Sequence, residues 1–91
     1  MDLQAKFQKN EQIVYKEEEE GAFLFNPDTG NLKYMNGTGR EAFMRLIEQK
    51  DVKEISHYLQ EIFPDVDSRQ LESDLEVFLK DLEANGFISP L

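Results

Sequence analysis

The chain of 91 residues has room for one domain with one modest core: domains span roughly 50 to 250 residues, and at this size only about 60 to 65% of the unfolded surface can be buried. Its 19 acidic against 10 basic residues leave a formal charge of -9, a field that repels DNA, RNA and anionic membranes, and the lack of cysteine excludes disulfides, iron–sulfur clusters, cysteine zinc sites and a thiol nucleophile. Neither Met1 to Asn10 nor any later stretch has the apolar run of a signal peptide or a membrane span, so the expectation is a cytoplasmic protein, without a cofactor, that recognises neutral or basic partners on its surface.

Ile13 to Lys16, Ala22 to Phe25 and Leu32 to Met35 are short runs rich in β-branched and aromatic residues, and they predict three strands. The four glutamates from Glu17 to Glu20 join the first two and read as a solvated loop. Between the second and third, Asn26-Pro27-Asp28-Thr29-Gly30 forms a turn: Pro27 pre-sets φ, Asp28 can bond the backbone ahead, and Gly30 accepts positive φ. The first third therefore reads as an antiparallel meander.

After Met35 the apolar period changes from 2 to 3.6 and predicts three helices. Thr38-Gly39-Arg40-Glu41, Asp51-Val52-Lys53-Glu54 and Asp67-Ser68-Arg69-Gln70 each fit a capping box, in which an oxygen-bearing side chain and a Glu or Gln three residues later satisfy otherwise orphan N–H groups. The buried stripes are Ala42, Phe43, Leu46 and Ile47 on the first helix, Val52, Ile55, Leu59, Ile62 and Phe63 on the second, and Leu71, Leu75, Phe78, Leu79 and Leu82 on the third. Pro64 ends the second helix and Asn85-Gly86 the third, after which Phe87 and Ile88 pack back onto the sheet or helices. The order β-β-β-α-α-α defines an α+β domain over residues 1–91, a small sheet against a helix-turn-helix trio.

Few residues can carry chemistry. His57 is the sole histidine and has no second imidazole or thiolate with which to share a metal. Asp65 and Asp67 lack the further oxygen ligands of a calcium loop, and Asp67 is better used as a cap. Gly37-Thr38-Gly39 lacks the lysine of a P-loop and serves as a tight strand-to-helix turn. The third helix cannot enter a DNA groove, because Asp67, Glu72, Asp74, Glu76, Asp81 and Glu83 outnumber Arg69 and Lys80. What remains is the sheet: a three-stranded meander keeps an exposed edge, whose unpaired N–H and C=O groups can template a strand from another chain. Lys33 on that edge equally fits a charge that merely blocks aggregation.

The run Gly21-Ala22-Phe23-Leu24-Phe25-Asn26-Pro27-Asp28-Thr29-Gly30-Asn31-Leu32-Lys33-Tyr34-Met35-Asn36-Gly37-Thr38-Gly39 resembles the PqqD-like family, named for a protein of coenzyme PQQ biosynthesis. The likeness continues through Val52-Lys53-Glu54-Ile55 and the long apolar-spaced segment Leu71 to Gly86 with its closing Gly-Phe-Ile, and covers about Ile13 to Ile88. The resemblance implies a winged-helix-like fold and a non-catalytic RiPP recognition element, a peptide chaperone that binds the leader of a ribosomally made precursor peptide and presents it to a maturase, often a radical SAM enzyme. It implies that the leader adds as a strand along Asn31, Leu32, Lys33, Tyr34 and Met35, with Leu71, Asp74, Leu75 and Phe78 as the facing helix wall. A structural or regulatory winged-helix subunit that binds no peptide is the rival reading, and homodimerisation through the free edge is a further use of the same strand.

Overall fold

The strand and helix patterns resolve, in a computed structural model that describes residues 2–91, into β1 (Phe7–Lys9), β2 (Val14–Glu17), β3 (Gly21–Phe25), β4 (Leu32–Asn36), α1 (Gly37–Ile47), α2 (Val52–Ile62), α3 (Ser68–Ala84) and β5 (Ile88–Pro90). Met1 lies outside the described residues. β2, β3 and β4 form the antiparallel meander, with Val14 opposite Phe25 and Gly21 opposite Asn36. The expected β-β-β-α-α-α order is thus present. β1 and β5 make a separate two-stranded sheet with no counterpart in the sequence reading.

Period-2 alternation turns one face of the meander toward the helices. Ala22 and Leu24 of β3 and Met35 of β4 are buried, whereas Phe25, Leu32 and Tyr34 are exposed on the outer face. The helices close over the buried face with Ala42, Phe43 and Leu46, then Val52, Ile55 and Leu59, then Leu71, Leu75, Leu79 and Leu82. Ile47 and Ile62, expected in the core, lie at the last position of their helices and are exposed, while Phe63 and Phe78 are only half-buried. No helix among the described residues is long and apolar enough to cross a membrane.

Of the three predicted caps, only Asp51 forms the full box, its carboxylate accepting from the Glu54 N–H at 2.8 Å while Glu54 accepts from the Asp51 N–H at 3.1 Å. α1 begins earlier than predicted. Asn36 already has the extended backbone that an N-cap needs, and its side chain takes the Gly39 N–H at 2.9 Å, so Thr38 falls inside the helix. Asp67 does cap α3, but through the Arg69 N–H, and Gln70 bonds Asp74 instead of reaching back. The hairpin turn is likewise organised by a neighbour: the buried Asn26, not Asp28, accepts from the backbone two residues on, while Gly30 holds the expected positive φ of 81°.

The N-terminal segment is bonded to two distant parts of the chain. Leu3 and Ala5 offer their carbonyls to the N–H groups of Lys53 and Val52, two of the orphan donors at the start of α2. Farther on, Asn10 donates to the Gly86 carbonyl and accepts from Ser89, which locks β1 to β5 and buries Phe7, Phe87 and Ile88.

β2 is fastened by Tyr15, whose ring stacks on Phe43 with centroids 5.6 Å apart and whose hydroxyl is buried without a partner among the described residues. Burial first, and then the Glu17 carboxylate, raise the phenol above its usual value of 10.0. A group raised in this way stabilises the fold fully below the unfolded pKa, and that contribution is lost as pH climbs through the folded one. Tyr15→Phe is expected to keep the parent's stability at neutral pH or to gain up to about 1 kcal/mol, since it removes an unsatisfied hydroxyl and keeps the stack. In thermal melts above about pH 10 it should lose less than the parent, because one alkaline titration is gone.

Candidate functional site

In an antiparallel ladder successive residues aim their backbone groups to opposite sides, and two bonds set the phase here. The Asn26 N–H donates to the Asn31 carbonyl at 2.8 Å, and the Glu18 N–H to the Gly21 carbonyl at 2.9 Å. Carried along the register, the first turns the backbone groups of Lys33 and Met35 toward β3; the second agrees, since it turns Gly21, Phe23 and Phe25 toward β2. Leu32 and Tyr34 therefore present N–H and C=O to the open side of β4, where no strand among the described residues follows.

Side chains alternate in the other sense, so Lys33 and Met35 face the helices. Met35 is buried, and the Lys33 ammonium stands 2.8 Å from the Asp81 carboxylate on α3. Between β4 and α3 runs a groove of about 440 Å³. On its helical side Leu71, Asp74, Leu75 and Phe78 share one stripe of α3. Leu71 and Leu75 are buried, Phe78 is half-buried, and Asp74 is exposed, bonded by the Gln70 amide at 2.8 Å.

Seven of the nine residues expected from the sequence thus line one groove. Asn31 and Leu32 do not. Asn31 sits in the hairpin turn with its carbonyl already bonded, and Leu32 turns its side chain to the outer face, leaving only its backbone on the open edge. The sequence reading missed Leu59, Phe63 and Val66, which close the far end, and Gly39, where an added Cβ would stand 3.3 Å from Met35 and from Phe78. In the sequence Leu59 and Phe63 belong to the second helix's buried stripe, which points to the core and not to the groove, and Val66, two residues past Pro64, offers only the signal of being too apolar for a solvated loop.

The other candidates lie elsewhere. His57 is exposed beside Glu61 at 3.0 Å, Asp67 is occupied as a cap, and no three His, Cys, Asp or Glu among the described residues could hold a metal. The Glu17 to Glu20 segment is strand as far as Glu17, and its turn is pinned by Arg40, whose guanidinium donates to the Glu18 carbonyl at 3.2 Å. A second depression, about 620 Å³, lies beside α2 between Leu3 and Glu72. Helices flank it, and helical backbone is already bonded, so it lacks the row of free donors and acceptors that β4 offers.

The family model described as coenzyme PQQ synthesis protein D (PqqD) matches residues 21–88. No curated protein matches the chain. Among solved structures, TbiB1 in complex with the TbiA(beta) leader peptide superposes with a TM-score of 0.82 at 22% identity, over 90% of this chain and 94% of that one. Lasso peptide synthetase B1 complexed with the leader peptide gives 0.83 at 20% identity, over 93% and 99%. At such identities the likeness is one of fold.

The geometry separates two wall residues that the sequence could not tell apart. Leu75→Ala should cost about 2 to 5 kcal/mol in denaturant unfolding, as a buried leucine does. Phe78→Ala, which removes a half-buried ring from the groove side, should cost clearly less and leave a cooperative transition.

Proposed function

We propose that this chain, which belongs to the PqqD family, is a recognition module for leader peptides: a single peptide-binding domain that takes up the leader of a ribosomally made precursor peptide and presents it to a modifying enzyme of radical SAM type. The family is one of non-catalytic peptide-binding domains, so the chemistry belongs to the partner. The observation that carries the reading is the pairing, in one place, of an open strand edge and an apolar groove. A peptide laid beside β4 gains backbone hydrogen bonds from Leu32 and Tyr34, and every second side chain falls between Met35 and the α3 stripe. The two similar folds described as leader-peptide complexes support it. Because an extended segment pays ordering entropy on binding, a dissociation constant near micromolar, about 8 kcal/mol, is expected.

Proline scanning of β4 tests the pairing, because proline deletes whichever N–H it replaces. Lys33→Pro removes an N–H directed at β3 and should lower the melting temperature sharply. Tyr34→Pro removes an outward N–H, which an edge strand tolerates, together with the ring that meets Phe23; it should melt near Tyr34→Ala, which loses the same ring but keeps the N–H, and bind a fluorescein-labelled candidate leader about tenfold more weakly than that control. A folded Tyr34→Pro that binds the leader as Tyr34→Ala does would remove β4 as the docking strand.

A further inference from the structure

The groove between β4 and α3 is apolar along most of its length, and its two charged residues are placed differently. Lys33 is neutralised by Asp81 at 2.8 Å. Asp74, seven residues earlier on α3, has no cation within 4.0 Å among the described residues, and its one hydrogen bond comes from the neutral Gln70 amide.

A peptide covering the groove strips part of the water from Asp74. Facing an apolar or acidic side chain, the carboxylate would be left partly desolvated and unpaired; facing an ammonium or guanidinium it gains a charge-assisted hydrogen bond. The chain's charge of -9 acts in the same direction by drawing cationic segments in. Position follows from helix and strand rise: seven helical residues advance about 10 Å, the length of about three strand residues. Groove-facing peptide positions alternate, so those nearest Asp74 lie about two to four residues from the one opposite Lys33.

We propose that Asp74 sets the sequence preference of the groove by pairing with a Lys or Arg of the leader, about two to four residues from the position that meets Lys33. This rests on the reading of the groove as a leader site. Asp74 selects among peptides, and the backbone edge and apolar wall bind them.

A random dodecapeptide phage library selected in parallel on the immobilised parent, Asp74→Asn and Asp74→Lys tests this without a known precursor. Asp74 is exposed and bonded only to Gln70, so both variants should melt like the parent. The parent should enrich alternating apolar residues together with Lys or Arg. Asp74→Asn should keep the apolar pattern and lose the basic residue, and Asp74→Lys should replace it with Asp or Glu. In a synthetic copy of the dominant parent-selected peptide, changing the basic residue to Gln should weaken binding to the parent about three- to tenfold, leave Asp74→Asn unaffected, and matter less at about 0.5 M salt. Apolar alternation with no basic preference on the parent, or with Tyr or an acidic residue there instead, would overturn the role of Asp74 and leave the groove reading standing. Absence of any enriched peptide on the folded parent would overturn both.

Discussion

β4 is hydrogen-bonded on one side only, and the arrangement of the molecule turns on holding a strand in that condition. In water an unpaired edge loses little, because its N–H and C=O groups are hydrated, but the strand must stay extended without a second neighbour. Several contacts keep it so. Met35 anchors its second half in the core, its last residue, Asn36, serves directly as the cap of α1, and Lys33 ties its first half to α3 through Asp81. Arg40 of α1 reaches back to the β2–β3 turn, fixing the sheet's angle against the same helix. Gly21 permits the close approach of β3 to β4, since a Cβ there would run into the Met35 carbonyl.

The far end of the groove depends on parts of the chain remote from it. Leu59 and Phe63 belong to the end of α2, whose first turn is bonded to the carbonyls of Leu3 and Ala5. Those residues are held in turn by the β1–β5 ribbon and its Asn10–Gly86 and Asn10–Ser89 bonds. The two ends of the chain thus brace the helix that closes the groove. The surface ion pairs outside the groove, such as Glu76–Lys80 and Arg45–Glu48, sit on single helices or at their ends and contribute little by comparison.

On the sheet's outer face Val14, Phe25 and Leu32 form one cross-strand row, and Lys16, Phe23 and Tyr34 the next. The Phe23 and Tyr34 rings meet at 5.1 Å. Such pairs are the unit from which a small meander gains stability, and they give the exposed apolar residues a structural use. They also separate the two jobs of β4: outer side chains stabilise the sheet, inner ones form the groove, and the backbone edge between them stays free.

Local chemistry was enough for much of the fold. The β-branched runs, the Asn26 to Gly30 turn, the Asp51 box and the 3.6-residue stripes each depend on neighbours within a few positions, so element order, the meander and most of the helical core were legible. Errors arose where two local partners competed, as Asn36 with Thr38 or Asn26 with Asp28, because the better-placed oxygen is chosen by backbone direction rather than by spacing. β1 and β5 escaped notice because a three-residue ribbon between the chain ends has no periodicity of its own and forms only when both ends meet. Leu71, Leu75 and Phe78 were legible as an apolar stripe and Leu32 to Met35 as a strand, and the family resemblance joined the two. The tertiary structure alone decided which N–H groups of β4 face outward, that Lys33 is neutralised while Asp74 is not, and that Phe63 and Val66 complete the groove. Register, ion pairing and cavity walls are set by elements distant in sequence, and no local pattern encodes a distance between them.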